Sequence, residues 1–97
     1  MIVLIVSYTV QAGKEDIARE HVRAMQENTR HEPGCRFYVG HQSQENPRKI
    51  CFYEQYDDEA ALKAHRAAPY FAEHVTNGLA KIIEPNTRLQ ELFTPID

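Results

Sequence analysis

Tyr53-Glu54-Gln55-Tyr56-Asp57-Asp58-Glu59-Ala60-Ala61-Leu62-Lys63-Ala64-His65 passes from an aromatic-rich run, through an acidic junction, into a helix-forming segment with a histidine on its apolar side. Just before it, residues 35–44 and 48–57 carry alternating apolar and aromatic pairs around Glu45-Asn46-Pro47, which predicts two strands joined as a hairpin. In the second strand Ile50, Phe52, Glu54 and Tyr56 share one face, while Cys51, Tyr53 and Gln55 share the other. Asp57 or Asp58 can cap the helix that follows, and Glu59 suits the positive end of its dipole. His65 comes three residues after Leu62 and four after Ala61, so it shares their inward side. Pro69-Tyr70-Phe71 then fits the first turn of a further helix reaching about residue 83, with Phe71, Val75, Leu79, Ile82 and Ile83 as its buried side. Glu84-Pro85 stops it.

Working outward, residues 2–10 are β-branched almost throughout and apolar on both faces, the pattern of a strand buried on both sides. Gln11-Ala12-Gly13 breaks this strand, and residues 14–31 place Ile17, His21, Ala24, Met25 and Asn28 on one stripe of an amphipathic helix. Glu32-Pro33-Gly34 ends that helix, because proline disfavours helix in the residue before it and glycine permits a left-handed turn. Residues 87–93 form the last strand. The order is β-α-β-β-α-β with the second helix broken near Pro69, an α+β, ferredoxin-like antiparallel sheet with its helices on one face. The apolar residues of the other face would be exposed in a monomer, so the expectation is a homodimer in which two sheets pack face to face.

A chain of 97 residues supports one domain, residues 1–97, without internal repeats or linkers. Such a chain buries only about 60 to 65% of its unfolded surface, so a second subunit would add to a modest core. The net charge of −3, with cations scattered among acids, offers no field for nucleic acid. The longest apolar run, residues 2–6, is too short to span a bilayer and has no cations before it, so the expected setting is soluble and cytoplasmic. With the hairpin turn near Asn46-Pro47, Cys35 faces about Asp57 and Cys51 about His41. Roughly 20 Å of strand then separates two thiols that would need Cα atoms within about 7 Å, so both are read as reduced packing residues.

No phosphate loop, Gly-x-Gly-x-x-Gly, Cys-x-x-Cys or Gly-x-Ser-x-Gly occurs, which leaves nucleotide cofactors, zinc clusters and a serine nucleophile without a signal. No two histidines are three or four residues apart, so no metal site is expected either. The remaining chemistry rests on histidines, tyrosines and one carboxylate. His65 is either a hydrogen-bonded core residue or a functional one, a general base or a group that hydrogen-bonds substrate. Glu54, in mid-strand, is either paired with a cation such as Arg36 or Arg88, the commoner arrangement, or has a raised pKa and handles protons. His74 follows Phe71 by three residues and Tyr70 by four, so it is either a surface residue or part of the cavity lining. Tyr53, Tyr56 and Phe71 most often mean core, yet polar-tipped rings near one histidine also suit a flat, oxygenated aromatic ligand.

Glu32-Pro33-Gly34-Cys35, the segment from Phe52 to His65, and Pro69-Tyr70-Phe71 together resemble the antibiotic biosynthesis monooxygenase domain, over nearly the whole chain. The resemblance implies a dimeric α/β barrel of ferredoxin-like protomers. It also implies chemistry without metal or flavin: a phenol or carbon acid is deprotonated, its anion passes an electron to dioxygen, and the radical pair combines. In that scheme His65 is the base or the group that orients the anion, Glu54 its polar support, and Tyr53, Tyr56, Phe71 and His74 the candidate walls. The haem-degrading members use a tryptophan near the position of His65, and this chain has none, so haem degradation is disfavoured. The character is nearest the quinol monooxygenase and autoinducer-2-processing members. Three readings follow: a cofactor-independent monooxygenase of a quinol or polycyclic phenol, an isomerase-type enzyme of a small phosphorylated ketone using Arg36 or Arg88, and a non-catalytic ligand-binding dimer.

Overall fold

The computed structural model describes all of residues 1–97. Strand β1 (Ile2–Thr9) leads into helix α1 (Glu15–Thr29), then β2 (Cys35–Gln42), β3 (Lys49–Tyr56), α2 (Glu59–Ala67), a single helical turn α3 (Pro69–Phe71) and finally β4 (Leu89–Phe93). The four strands form one antiparallel sheet in the order β2-β3-β1-β4. This is the ferredoxin-like arrangement expected from the alternation, and β1, the most apolar strand, lies inside it with a partner on each side.

The hairpin register follows the expectation closely. His41 pairs with Cys51, and Cys35 pairs with Tyr56 because the ladder shifts between Cys35 and Phe37. Both cysteines are free, and burial pushes the Cys35 thiol up to about 11, so it stays a thiol at neutral pH. Asp58 is the residue that caps α2: its Oδ1 accepts the Ala61 N–H at 2.8 Å.

Two expectations are corrected. The buried stripe of α1 is Ala18, Val22, Met25 and Thr29, one residue on from the predicted one, and Ile17 is 44% exposed. Gly40 explains the rotation. It leaves β2 without a side chain under Val22, and its N–H donates to Gln26 Oε1 at 2.8 Å, so α1 settles on that strand by its Val22 side. The second correction concerns residues 69–83, which do not form one helix. After α3 the chain makes a π-helical turn (Ala72–Thr76), closed by the Asn77 N–H donating to the Ala72 carbonyl at 2.8 Å, and then a 3-10 turn (Leu79–Lys81). Pro69 starts this stretch and Gly78 interrupts it, so each piece is too short to bury a continuous stripe.

Leu4, Val6, Tyr8, Tyr38, Ile50, Phe52 and Tyr56 form the helix-covered core with Val22, Met25, Leu62 and Leu79. The opposite face carries Val3, Ile5, Phe37, Val39, Tyr53, Leu89 and Phe93, and no helix covers it. Phe37 is 45% and Leu89 70% exposed there.

Candidate active site

Strand β3 delivers Glu54 to the helix-covered face, and α2 turns His65 down onto it. The loop before β2 completes the arrangement: a Cβ at Gly34 would collide with Ala61, so only glycine lets this loop lie against the start of α2. That close approach brings Glu32, in the loop between α1 and β2, to within 3.0 Å of His65 Nδ1. A carboxylate only accepts, so the imidazole proton is assigned to Nδ1 and donates to Glu32 Oε2. Tyr70 donates its hydroxyl to the same oxygen and holds it in place.

The other ring nitrogen, Nε2, therefore presents a lone pair, 3.9 Å from Glu54 Oε1. His65 is 2% exposed, and burial holds its pKa below the ordinary imidazole value against the opposing pull of Glu32. It is a neutral base at pH 7. Its ring is boxed by Tyr38, Tyr56 and Phe71 at centroid distances of 5.6, 5.2 and 5.3 Å.

Glu54 has no lysine or arginine within ion-pair distance; the nearest ionisable nitrogen is Nε2 of the neutral His65. Arg36 pairs with Asp57 at the surface instead, with 2.5 Å between Nε and Oδ1. Burial raises the Glu54 carboxyl to about 7, although the Tyr56 hydroxyl, which donates to Oε1 at 2.5 Å, works in the other direction. Of the two readings open for Glu54, the raised pKa is the one realised. At neutral pH the carboxyl is poised between its two forms, beside a neutral imidazole.

Glu54 and His65 open onto a cavity of about 320 Å³ between sheet and helical layer. Leu4, Val6 and Tyr8 of β1, Tyr38 of β2 and Phe52 of β3 make its floor, Phe71, Val75, Leu79 and Ile83 its roof, and Arg66, Arg88 and Gln90 add polar lining. Ten of the sixteen lining residues are hydrophobic, which suits a flat apolar body with few polar anchors. No group of three or more His, Cys, Asp or Glu side chains is set to hold a metal ion.

The structure thus brings together His65, Glu54 and Phe71. Tyr56 supports the site from behind, through its bond to Glu54, and does not line the cavity. Tyr53 lies on the opposite face, edge-on to Phe37 at 5.7 Å. His74 does not line the cavity; its Nδ1 is 2.9 Å from His21 Nδ1 on α1. The π-helical turn changes the helical phase, so the three- and four-residue spacing to Phe71 and Tyr70 does not carry His74 to the cavity. Sequence reasoning missed Glu32, Tyr8, Tyr38 and Arg66. Tyr8 and Tyr38 could have been found, since alternation puts Tyr8 on the Leu4 face and the register puts Tyr38 opposite Glu54. Glu32 had no signal, because its contact with His65 spans 33 residues.

The sequence profile of the antibiotic biosynthesis monooxygenase family matches residues 1–77. Among solved structures the fold is similar to that of an antibiotic biosynthesis monooxygenase, at 26% identity with a TM-score of 0.91 over the full length of both chains. It is also similar to Rv0793 from Mycobacterium tuberculosis, at 22% identity and a TM-score of 0.88 over 99% of this chain and 95% of that one. A conserved protein from Methanosarcina mazei shares 23% identity at a TM-score of 0.85, over 95% of this chain and 89% of its own. No curated protein sequence matches significantly. With its helix-covered sheet and a family profile spanning most of its length, the chain belongs to the antibiotic biosynthesis monooxygenase family.

Proposed function

We propose that the protein is a cofactor-independent monooxygenase that oxidises a quinol or polycyclic phenol with dioxygen. The observation that carries this reading is the buried, neutral His65, oriented by Glu32 so that Nε2 faces an apolar cavity beside Glu54. In the proposed reaction a substrate hydroxyl gives its proton to Nε2, with Glu54 able to take up or return a proton near neutral pH. The anion, held away from water by the apolar lining, transfers an electron to dioxygen, and the two radicals combine. For a quinol the balance is one quinol and one dioxygen giving one hydroxyquinone and one water. His65 and Glu54 are the catalytic residues of this scheme, Phe71 a binding wall, and Tyr56 a positioning residue behind Glu54.

The apolar lining favours this reading over processing of a small phosphorylated ketone. That alternative calls for a cationic pocket, and Arg36 is engaged with Asp57 outside the cavity, leaving only Arg66 and Arg88 within it. We further propose a homodimer through the uncovered sheet face, because Phe37, Leu89 and Phe93 form an exposed apolar surface there. Light scattering should give twice the protomer mass, and a stable monomer at low concentration would rule the dimer out. Oxygenation is tested by incubating metal-chelated, flavin-free protein with a panel of hydroquinones in air and under nitrogen. Product only in air is expected; equal product in both would count decisively against it.

A further inference from the structure

The five tyrosines divide into two groups by what their hydroxyls touch. Tyr56 donates to Glu54, Tyr70 donates to Glu32, and Tyr53 accepts from Gln55 Nε2 at 3.1 Å. The hydroxyls of Tyr8 and Tyr38 have no partner in the protein, although the two residues are only 5% and 3% exposed. Neither hydroxyl is sealed in the core: Thr29 Oγ1 is the one fully buried side-chain polar atom without a partner. Both tyrosines line the cavity, where hydroxyls that are neither sealed nor bonded to the protein can meet a ligand.

Packing alone does not account for them. A hydroxyl withdrawn from water without a hydrogen bond costs free energy, and phenylalanine would fill the same space without that cost. The two rings flank Phe52 at 6.2 and 5.6 Å, and the Tyr38 ring also lies 5.6 Å from His65. Two donors therefore sit over the aromatic floor, and a base stands next to one of them. We propose that Tyr8 and Tyr38 form a two-donor subsite for an acceptor oxygen of the substrate, distinct from the hydroxyl that His65 deprotonates. The ligand class narrows accordingly to fused-ring phenols that carry a second oxygen, a carbonyl or an oxyanion, across the ring system.

Burial raises both phenol pKa values well above the ordinary one, and the charge of Glu54 adds to the effect, so both groups remain neutral donors at physiological pH. Arg88 lies on the Tyr8 side and pulls that pKa the other way, so a cation also faces an oxyanion held there. Proton removal at His65 delocalises negative charge onto the conjugated oxygen, where the two hydroxyls can stabilise it. This inference rests on the cavity being the substrate site, but its test does not depend on turnover.

Binding of 2-hydroxy-1,4-naphthoquinone, followed by its visible absorption, is compared with that of 1-naphthol, which lacks the carbonyl oxygens. The wild-type protein should bind the quinone more tightly. Tyr8→Phe and Tyr38→Phe should each weaken quinone binding about fivefold to tenfold and change naphthol binding less than about twofold, the loss expected for one hydrogen bond. Their thermal midpoints should be no lower than that of the wild type, since neither hydroxyl bonds to the protein and its removal lifts a desolvation cost. Quinone affinity unchanged in both variants, an equal loss for both probes, or no preference for the quinone in the unaltered protein would each overturn the subsite. Absence of binding by either probe would overturn the subsite and the cavity reading together. If the quinone result holds while no hydroquinone consumes oxygen, the subsite stands and the monooxygenase reading falls.

Discussion

Two halves of the helical layer cover one face of the same sheet in opposite ways. Under α1 the sheet is packed solid: Ala18, Val22, Met25 and Thr29 are buried, and Gly40 lets the helix approach β2 closely. Under residues 69–83 the cover is a helical turn, a π-helical turn and a 3-10 turn, whose inward side chains Phe71, Val75, Ile82 and Ile83 are only half-buried and Leu79 alone is fully buried. A regular helix presents a continuous ridge that fills the sheet surface. Segments interrupted by Pro69 and Gly78 cannot do so, and Glu54 and His65 line the hollow they leave. The cavity is thus a product of broken helical phase.

This contrast can be broken first at the base. His65→Ala should lower turnover by about a hundredfold to ten-thousandfold, the usual worth of a general base, with little change in the folded state's spectrum. Retained turnover would separate the cavity from the chemistry. Next comes the packed half: Met25→Ala should cost about 2–5 kcal/mol in denaturant unfolding, whereas Val75→Ala, at the half-buried roof, should cost less than about 1 kcal/mol. Equal costs would mean the two halves are packed alike.

The third test uses pH. The folded protein raises Glu54 from 4.5 to about 7, so it binds that proton more tightly than the unfolded chain does. The Glu54 contribution is therefore most favourable below pH 4.5, falls as pH rises toward 7, and stays constant above, a loss of at most about 3 kcal/mol. Glu54→Gln, which can still accept from Tyr56, should remove that fall and be more stable than the wild type at pH 8. The smallest effect is expected outside both halves. Arg36→Ala breaks an exposed ion pair with Asp57 and should change stability by less than about 1 kcal/mol.

Much of this was legible in the sequence, for reasons that also mark the limit. Strand alternation put Glu54 on the Phe52 face, and helical spacing turned His65 inward; both periodicities are local. The same alternation put Tyr53 on the Cys51 face, so its assignment to the site was already in tension with the pattern. The phase of α1 depended on Gly40 in another strand, and His74 depended on a π-helical turn that no spacing rule anticipates. Neither cation expected beside Glu54 pairs with it: Arg36 pairs with Asp57 and Arg88 donates to Gln90. Glu32 read as a helix terminator because its role appears only when Gly34 closes against Ala61.

On the proposed function, the hollow half of the molecule inserts an atom of dioxygen into a phenolic substrate by way of His65. Incubation of 1,4-dihydroxynaphthalene with the protein under ¹⁸O₂, followed by mass spectrometry, tests it most directly. A hydroxynaphthoquinone carrying one labelled oxygen is expected, formed by the wild type and lost with His65→Ala. Unlabelled product, or labelled product formed equally by the variant, would contradict it.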